Sequence, residues 1–358
     1  MASPVRAQPF QALGGFGYFG AFVVLVGTFA CDPADRPEGE LVHDSERLRL
    51  YAGPGTRYCG GTGAYIERFF DGVEDRYRRQ PETPVEYFLL DELDAWCDQR
   101  VGIIGCAEPG RVIATMAPFT HGVAHAMHGA TPRAVVHEGW AELLDNGMPP
   151  FVPGGHSAEA VRVDGPSLPG ELYGSASVWL RYVDADFGPT VVRRLLLESD
   201  AHGGYADFAD LFAELSGVDL DSYTALVDGE SCDPAASSLV LPTCAGPEGH
   251  PLEAEPLVWE VDAVCADETA IGPWRDEFWL ERVVEVQGEG VRVAMEVDLP
   301  QGGVATLERC GDCESYVGYT FELDTQTERL MRPGRWYLRV RAPMGGPMRA
   351  RVELRVLE

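Results

Sequence analysis

The stretch Phe119-Thr120-His121-Gly122-Val123-Ala124-His125-Ala126-Met127-His128, followed by His137-Glu138-Gly139-Trp140-Ala141-Glu142, decides how the rest of this sequence is read. Of the chain's 8 histidines, four fall between positions 121 and 137. His121 and His125 are four residues apart, so a helix places both imidazoles on one face, one turn from each other, as a shared metal ion requires. The pattern predicts helices over 119–128 and 133–146, with Pro132 near the start of the second and Gly147 just past its end.

A site of the catalytic zinc type needs a third protein ligand, and Glu138 on the second helix is the candidate. A helical hairpin turning over 129–132 brings it over the histidine pair. Glu142, one turn further, is then placed to accept the outward N–H of a ligating histidine, which fixes the tautomer of that ligand. His128 competes for the third position but lies about 10 Å along the helix from His121, too far for one ion. His137 points roughly 100° away from Glu138 around its helix. Both histidines are expected to line the cleft without binding metal.

The run 119–128 resembles the H-E-x-x-H helix of gluzincin zinc peptidases. Glu138-Gly139-Trp140-Ala141-Glu142 is similar to their second helix, where a glutamate ligand precedes a glycine and an acidic residue follows one turn later. Tyr173-Gly174-Ser175-Ala176 to Tyr182, then Phe187-Gly188-Pro189, is similar to the helix after the site in the peptidase MA-like branch. The resemblance covers roughly 45–228. It implies an α+β, zincin-like metallopeptidase domain with zinc held by His121, His125 and Glu138, and Tyr173 as oxyanion stabiliser or as packing. One departure matters most. The family's general base occupies the second motif position, where this chain has Gly122. General acid–base assistance typically contributes about 10²- to 10⁴-fold in rate, so weak hydrolysis at best is expected. Glycine is also about 1 kcal/mol worse than alanine inside a helix.

Outward from this core, the first domain is expected over 45–228. It opens with strands at 48–52, 85–90 and 112–115 and a helix over 64–79. Helices follow the site at 173–187, 189–199 and 205–215, each apolar on one face. The segment 229–256 breaks both periodicities with its cysteines, prolines and glycines and reads as a disulfide-stapled linker. Beyond it, 257–358 is predicted to be an all-β, jelly-roll-like sandwich, with strands at 278–286, 291–299, 304–309 and 336–342. Residues 330–341, Leu-Met-Arg-Pro-Gly-Arg-Trp-Tyr-Leu-Arg-Val-Arg, look like the final hairpin of bacterial pre-peptidase C-terminal domains. Trp259, Trp274, Trp279, Tyr316, Tyr319 and Trp336 read as core positions rather than a carbohydrate platform.

At the other end, Arg6 and an apolar run over 13–30 read as an export signal within 1–31. Ala30-Cys31 is similar to a bacterial lipobox, which implies a lipid on Cys31 and a membrane anchor. A plain secretory cut and an uncleaved anchor are the alternatives, the run of about 18 residues being barely long enough to span a bilayer. All three export the chain. Residues 32–44 read as a tether. Beside Cys31, the 9 cysteines leave an even set suited to an oxidising compartment. Proximity pairs Cys97 with Cys106 and Cys232 with Cys244, with Cys59, Cys265, Cys310 and Cys313 left open.

The 57 acidic residues against 28 basic ones, all arginine, give a net charge of -29, which repels phosphate backbones and excludes nucleic acid as a partner. Three function classes remain. One is a metallopeptidase-like protein, impaired at Gly122 or weakly active through another base. Another is an envelope lipoprotein that binds peptides or cell-surface components without cutting them. The third is a disulfide-stapled surface protein in which His121, His125 and Glu138 form a purely structural metal site.

Overall fold

Leu48, Leu50 and Ala52 alternate with Arg49 and Tyr51, a period of two that gives a strand one apolar face. In the computed structural model of the chain this is β2 (Leu48–Ala52), with the three apolar side chains buried. The structure describes residues 36–97, 104–128, 132–145, 156–165, 167–229, 239–246, 249–253, 255–288, 290–310, 319–322 and 326–357. The export signal, Cys31 and the lipobox-like junction lie outside them. Among them, no helix is long and apolar enough to cross a membrane.

β2 belongs to a five-stranded sheet ordered β1-β2-β3-β5-β4, from β1 (Glu40–Asp44), β3 (Val85–Leu89), β4 (Gly105–Glu108) and β5 (Arg111–Ala114). β2, β3 and β5 run parallel, and β1 and β4 are antiparallel edges. β1 corrects the sequence reading, which put Glu40–Asp44 in a tether: the segment pairs with β2. α1 (Thr62–Tyr77) buries Ile66, Phe69, Phe70, Val73 and Tyr77, a stripe at helical spacing in the same core as Leu48, Leu50 and Tyr87.

The remaining helices of this half are α2 (Thr120–Ala126), α3 (Ala134–Leu143), α4 (Ser157–Ala160), α5 (Tyr173–Phe187), α6 (Pro189–Glu198), α7 (Tyr205–Ser216) and α8 (Leu220–Gly229). α5 has the bounds the sequence predicts, because Gly188, at φ 82°, ends it and Pro189 opens α6. α3 and α5 pack closely at Gly139, where an added Cβ would stand 2.6 Å from the carbonyl oxygen of Ala176. The chain is thus a mixed α/β protein with a further all-β part.

That part holds two sheets over one apolar core. One is ordered β13-β10-β15-β7, from β7 (Leu257–Ala263), β10 (Val291–Asp298), β13 (Gln326–Met331) and β15 (Met348–Leu357). The other is ordered β12-β11-β14-β9-β6, from β6 (His250–Pro251), β9 (Glu277–Val286), β11 (Val304–Arg309), β12 (Tyr319–Glu322) and β14 (Gly334–Pro343), with β8 (Ile271–Trp274) added to β9. The run 330–341 is not a hairpin. Its two halves fall in β13 and β14, which belong to different sheets, so the turn at Pro333 carries the chain across the sandwich. Trp274, Trp279 and Trp336 are buried, as expected of core positions. Tyr316 lies outside the described residues.

Both halves meet along the start of α1. Gly60 and Gly61 donate backbone hydrogen bonds to Cys265 and Ala270, and the Thr62 hydroxyl donates to the carbonyl of Gly272. Tyr65 packs edge-on against Trp279, with centroids 6.2 Å apart. Behind this contact Arg339 donates to Glu281 at 2.7 and 2.9 Å, and Glu281 also accepts from Trp279 Nε1 and from the Thr243 hydroxyl of α9 (Leu241–Cys244). Disulfides join Cys59 to Cys265, Cys97 to Cys106 and Cys244 to Cys310. The Cys97–Cys106 pairing matches the sequence expectation, whereas Cys244 pairs with Cys310 and not with Cys232. Nearness in sequence misled there because Cys244 ends a short helix seated against β9 and β14, whose neighbour β11 leads into Cys310. Cys232 and Cys313 lie outside the described residues. The three disulfides among the described residues are consistent with an exported protein.

Candidate metal centre

The packing of α2 on α3 brings three donor atoms to one point. His121 Nε2 lies 3.0 Å from His125 Nε2, and Glu138 Oε2 lies 3.2 Å from His125 Nε2 and 3.6 Å from His121 Nε2. All three residues are buried, at 2%, 3% and 0% exposure, and form a group able to hold a metal ion. α2 presents the histidines because positions 121 and 125 share a face. α3 presents Glu138 because Arg133, wholly buried before its first turn, is fixed by bonds to the carbonyls of Val161 and Gly203 and to Asp164. Thr120 Oγ1, at the start of α2, donates to Asp145 Oδ1 just past the end of α3, at 3.0 Å.

The outer nitrogens are also held. His121 Nδ1 is 3.1 Å from Glu142 Oε1, the contact expected from the spacing of 138 and 142. His125 Nδ1 is 2.8 Å from His137 Nε2, a contact the sequence reading missed. A carboxylate only accepts, so His121 keeps a proton on Nδ1, and its Nε2 lone pair faces inward when that nitrogen is deprotonated. If His125 Nδ1–H donates to His137 Nε2, its Nε2 lone pair also faces inward. Once the proton that His121 holds without a cation has left, two lone pairs and a carboxylate converge on one point, and Glu138 Oε1 is buried without a partner. Such a donor set fits a cation.

Without a cation, a proton takes its place. Burial opposes protonation of His121, but the hydrogen bonds and charges of Glu138 and Glu142 outweigh it and push its pKa up to about 10. Burial likewise works against ionised Glu138, and the charge of His125 with the bonds from both histidines overcomes it, holding the carboxyl well below its usual range. Burial, then the neighbouring His125, lowers His137 to about 3, so it stays a neutral acceptor. His128 is kept out of the group: its ring meets Trp140 edge-on at 4.6 Å, and burial holds it uncharged.

Tyr173, the first residue of α5, lies parallel to His121 with ring centroids 6.1 Å apart and 9° between planes. Phe119 does the same at 5.8 Å and 14°. Gly122 is buried on α2 beside that phenyl ring.

No family model matches the chain, and no curated protein matches it. Among solved structures, it is similar to the pre-peptidase C-terminal domain of collagenase from Bacillus anthracis, at 14% identity and a TM-score of 0.21, over 31% of this chain and 97% of that one. It is also similar to PliG of Aeromonas hydrophila, a periplasmic lysozyme inhibitor, at 9% identity and a TM-score of 0.20, over 30% and 96%. At these scores the likenesses decide nothing about activity.

Proposed function

We propose that this chain is an exported zinc-binding protein on a zincin-like, gluzincin-type scaffold, able to hold a peptide at its metal but impaired in cutting it. The observation that carries the reading is the convergence of His121 Nε2, His125 Nε2 and Glu138 Oε2, with each imidazole held from behind by Glu142 or His137. Two imidazoles and one carboxylate suit zinc. When bound, zinc supplies Lewis-acid polarisation of a ligand oxygen.

The impairment rests on Gly122, which carries no proton-transfer group at the position where the resembled family has its base. The neighbouring groups are committed elsewhere: Glu142 to His121, His137 to His125, and His128 to the ring of Trp140. Tyr173, parallel to His121, is expected to hold that ligand in place, with an oxyanion role as the alternative. Membrane attachment through a lipid on Cys31 belongs to the same proposal.

Elemental analysis of purified protein tests the reading, with His121→Ala and Glu138→Ala as controls. About one zinc per chain, lost in both variants, is expected, together with peptide cleavage at least about 10²-fold below an ordinary metallopeptidase. Absence of bound metal would remove the metal reading. Cleavage at ordinary rates would remove the impairment.

A further inference from the structure

We propose that Phe119 is a positioning residue of the metal centre, and that its ring is what restricts position 122 to glycine. This rests on the reading of the triad as a metal site, and it makes the missing base a property of two residues. A Cβ built on Gly122 would stand 2.5 Å from Phe119 Cδ1, 2.6 Å from Cε1 and 3.3 Å from Val112 Cγ1. Carbon atoms pack at about 3.5–4.0 Å, so even a methyl group at 122 has no room.

The ring has little freedom to yield. Phe119 is 2% exposed and belongs to the core of the first half. On Gly105 of β4 an added Cβ would stand 2.9 Å from the same ring, so the phenyl is wedged between two glycines. The backbone N–H of Phe119 donates to Tyr87 Oη at 3.2 Å, and Tyr87 Oη donates to the Met116 carbonyl. Held in this way, the ring lies parallel to His121. One side chain thereby fixes the plane of a ligand and fills the first ångströms of the path any side chain from 122 must take. Glycine at 122 is a packing requirement here, beyond a lost carboxylate.

The test is a thermodynamic cycle between Gly122→Ala and Phe119→Ala, read by thermal melting of the metal-free protein, with Phe119→Leu as a milder partner should Phe119→Ala not fold. Gly122→Ala is expected to lower the melting midpoint by roughly 3–8 °C in the native background, as overpacking does. In the Phe119→Ala background it should leave the midpoint unchanged or raise it, because alanine is then the better helix former, and in the Phe119→Leu background, which keeps a Cδ carbon but loses Cε1, the drop should be smaller than in the native one. Equal effects in both backgrounds, or none in the native one, would overturn the packing claim. The positioning role is read separately with cobalt(II) in place of zinc. Phe119→Leu should shift the visible ligand-field bands and weaken cobalt binding by at least about tenfold, and an unchanged spectrum and affinity would overturn it. If the native chain takes up no cobalt and no zinc, the positioning role and the metal reading fall together, while the melting cycle still decides the packing.

Discussion

His125 Nδ1 stands 2.8 Å from His137 Nε2, so a candidate ligand on one helix is oriented by a neutral imidazole on the next. The first ligand, His121, is oriented by a carboxylate, and the two supports differ in what they do to basicity. An acceptor behind a ligating histidine fixes its tautomer and ring plane, and its removal typically weakens metal binding by about 10- to 100-fold.

His137→Ala should therefore weaken zinc binding by that factor while the fold survives, and His137→Gln, whose amide oxygen can accept the same proton, should restore part of it. Competition against a chelator of known affinity measures both. Equal affinity in native and alanine forms would show that the contact orients nothing.

Zinc binding should tighten with pH. The carboxylates of Glu138 and Glu142 raise His121 from its ordinary value of 6.5 to about 10 in the metal-free protein, so at neutral pH a proton sits where the ion must go. That imidazolium stabilises the metal-free fold fully below 6.5, and the contribution fades as pH climbs toward 10. Binding displaces the proton, so the apparent affinity should rise about tenfold per pH unit between 6 and 8, with about one proton released per zinc. Calorimetry in buffers of different ionisation enthalpy counts the proton. A flat profile would contradict the assignment.

Gly122→Glu alone should not yield a working peptidase, because its first methylene would meet the Phe119 ring. Combined with Phe119→Ala, and assayed with zinc in excess so that the weakened site is filled, the same change should raise cleavage of a mixed peptide library by about 10²-fold or more over the native chain, in keeping with the usual contribution of a general base. Single-variant activity matching the double would show that the ring is no obstacle.

Replacing Cys59 and Cys265 together by serine should destabilise the protein by roughly 2–5 kcal/mol, since the bond closes a large loop of chain. Chemical denaturation should then show the first half and the sandwich separating before either unfolds. A single unchanged transition would mean the non-covalent seam at Tyr65, Trp279 and Gly272 suffices.

The candidate metal site was largely legible in the sequence because its three residues obey local rules. Two histidines at helical spacing and a carboxylate on the following helix meet wherever two short helices pack as a pair, and Glu142 follows from the turn length of its own helix. His137 and Phe119 were not legible, since their roles depend on how α2 sits against α3 and β4, which no spacing encodes. α5 was legible through the Gly188-Pro189 break. β1 was missed because its Glu40, His43 and Asp44 lack the apolar alternation of a buried strand, as an exposed edge permits. The crossing at Pro333 was missed because alternation marks a strand but not the sheet it joins. The partner of Cys244 was missed for a related reason: a disulfide follows the path of the folded chain and takes little from distance along it.

The Cys59–Cys265 bond has a topological consequence. With the intervening backbone it makes a covalent ring that encloses both histidines, Glu138, and every helix from α1 to α9. Hydrolysis of any one peptide bond inside that ring opens it without freeing either piece, so a nicked molecule keeps its mass and its ligands together until a reductant arrives. In an oxidising compartment, where thiols are scarce, that is a form of durability that melting temperature does not measure.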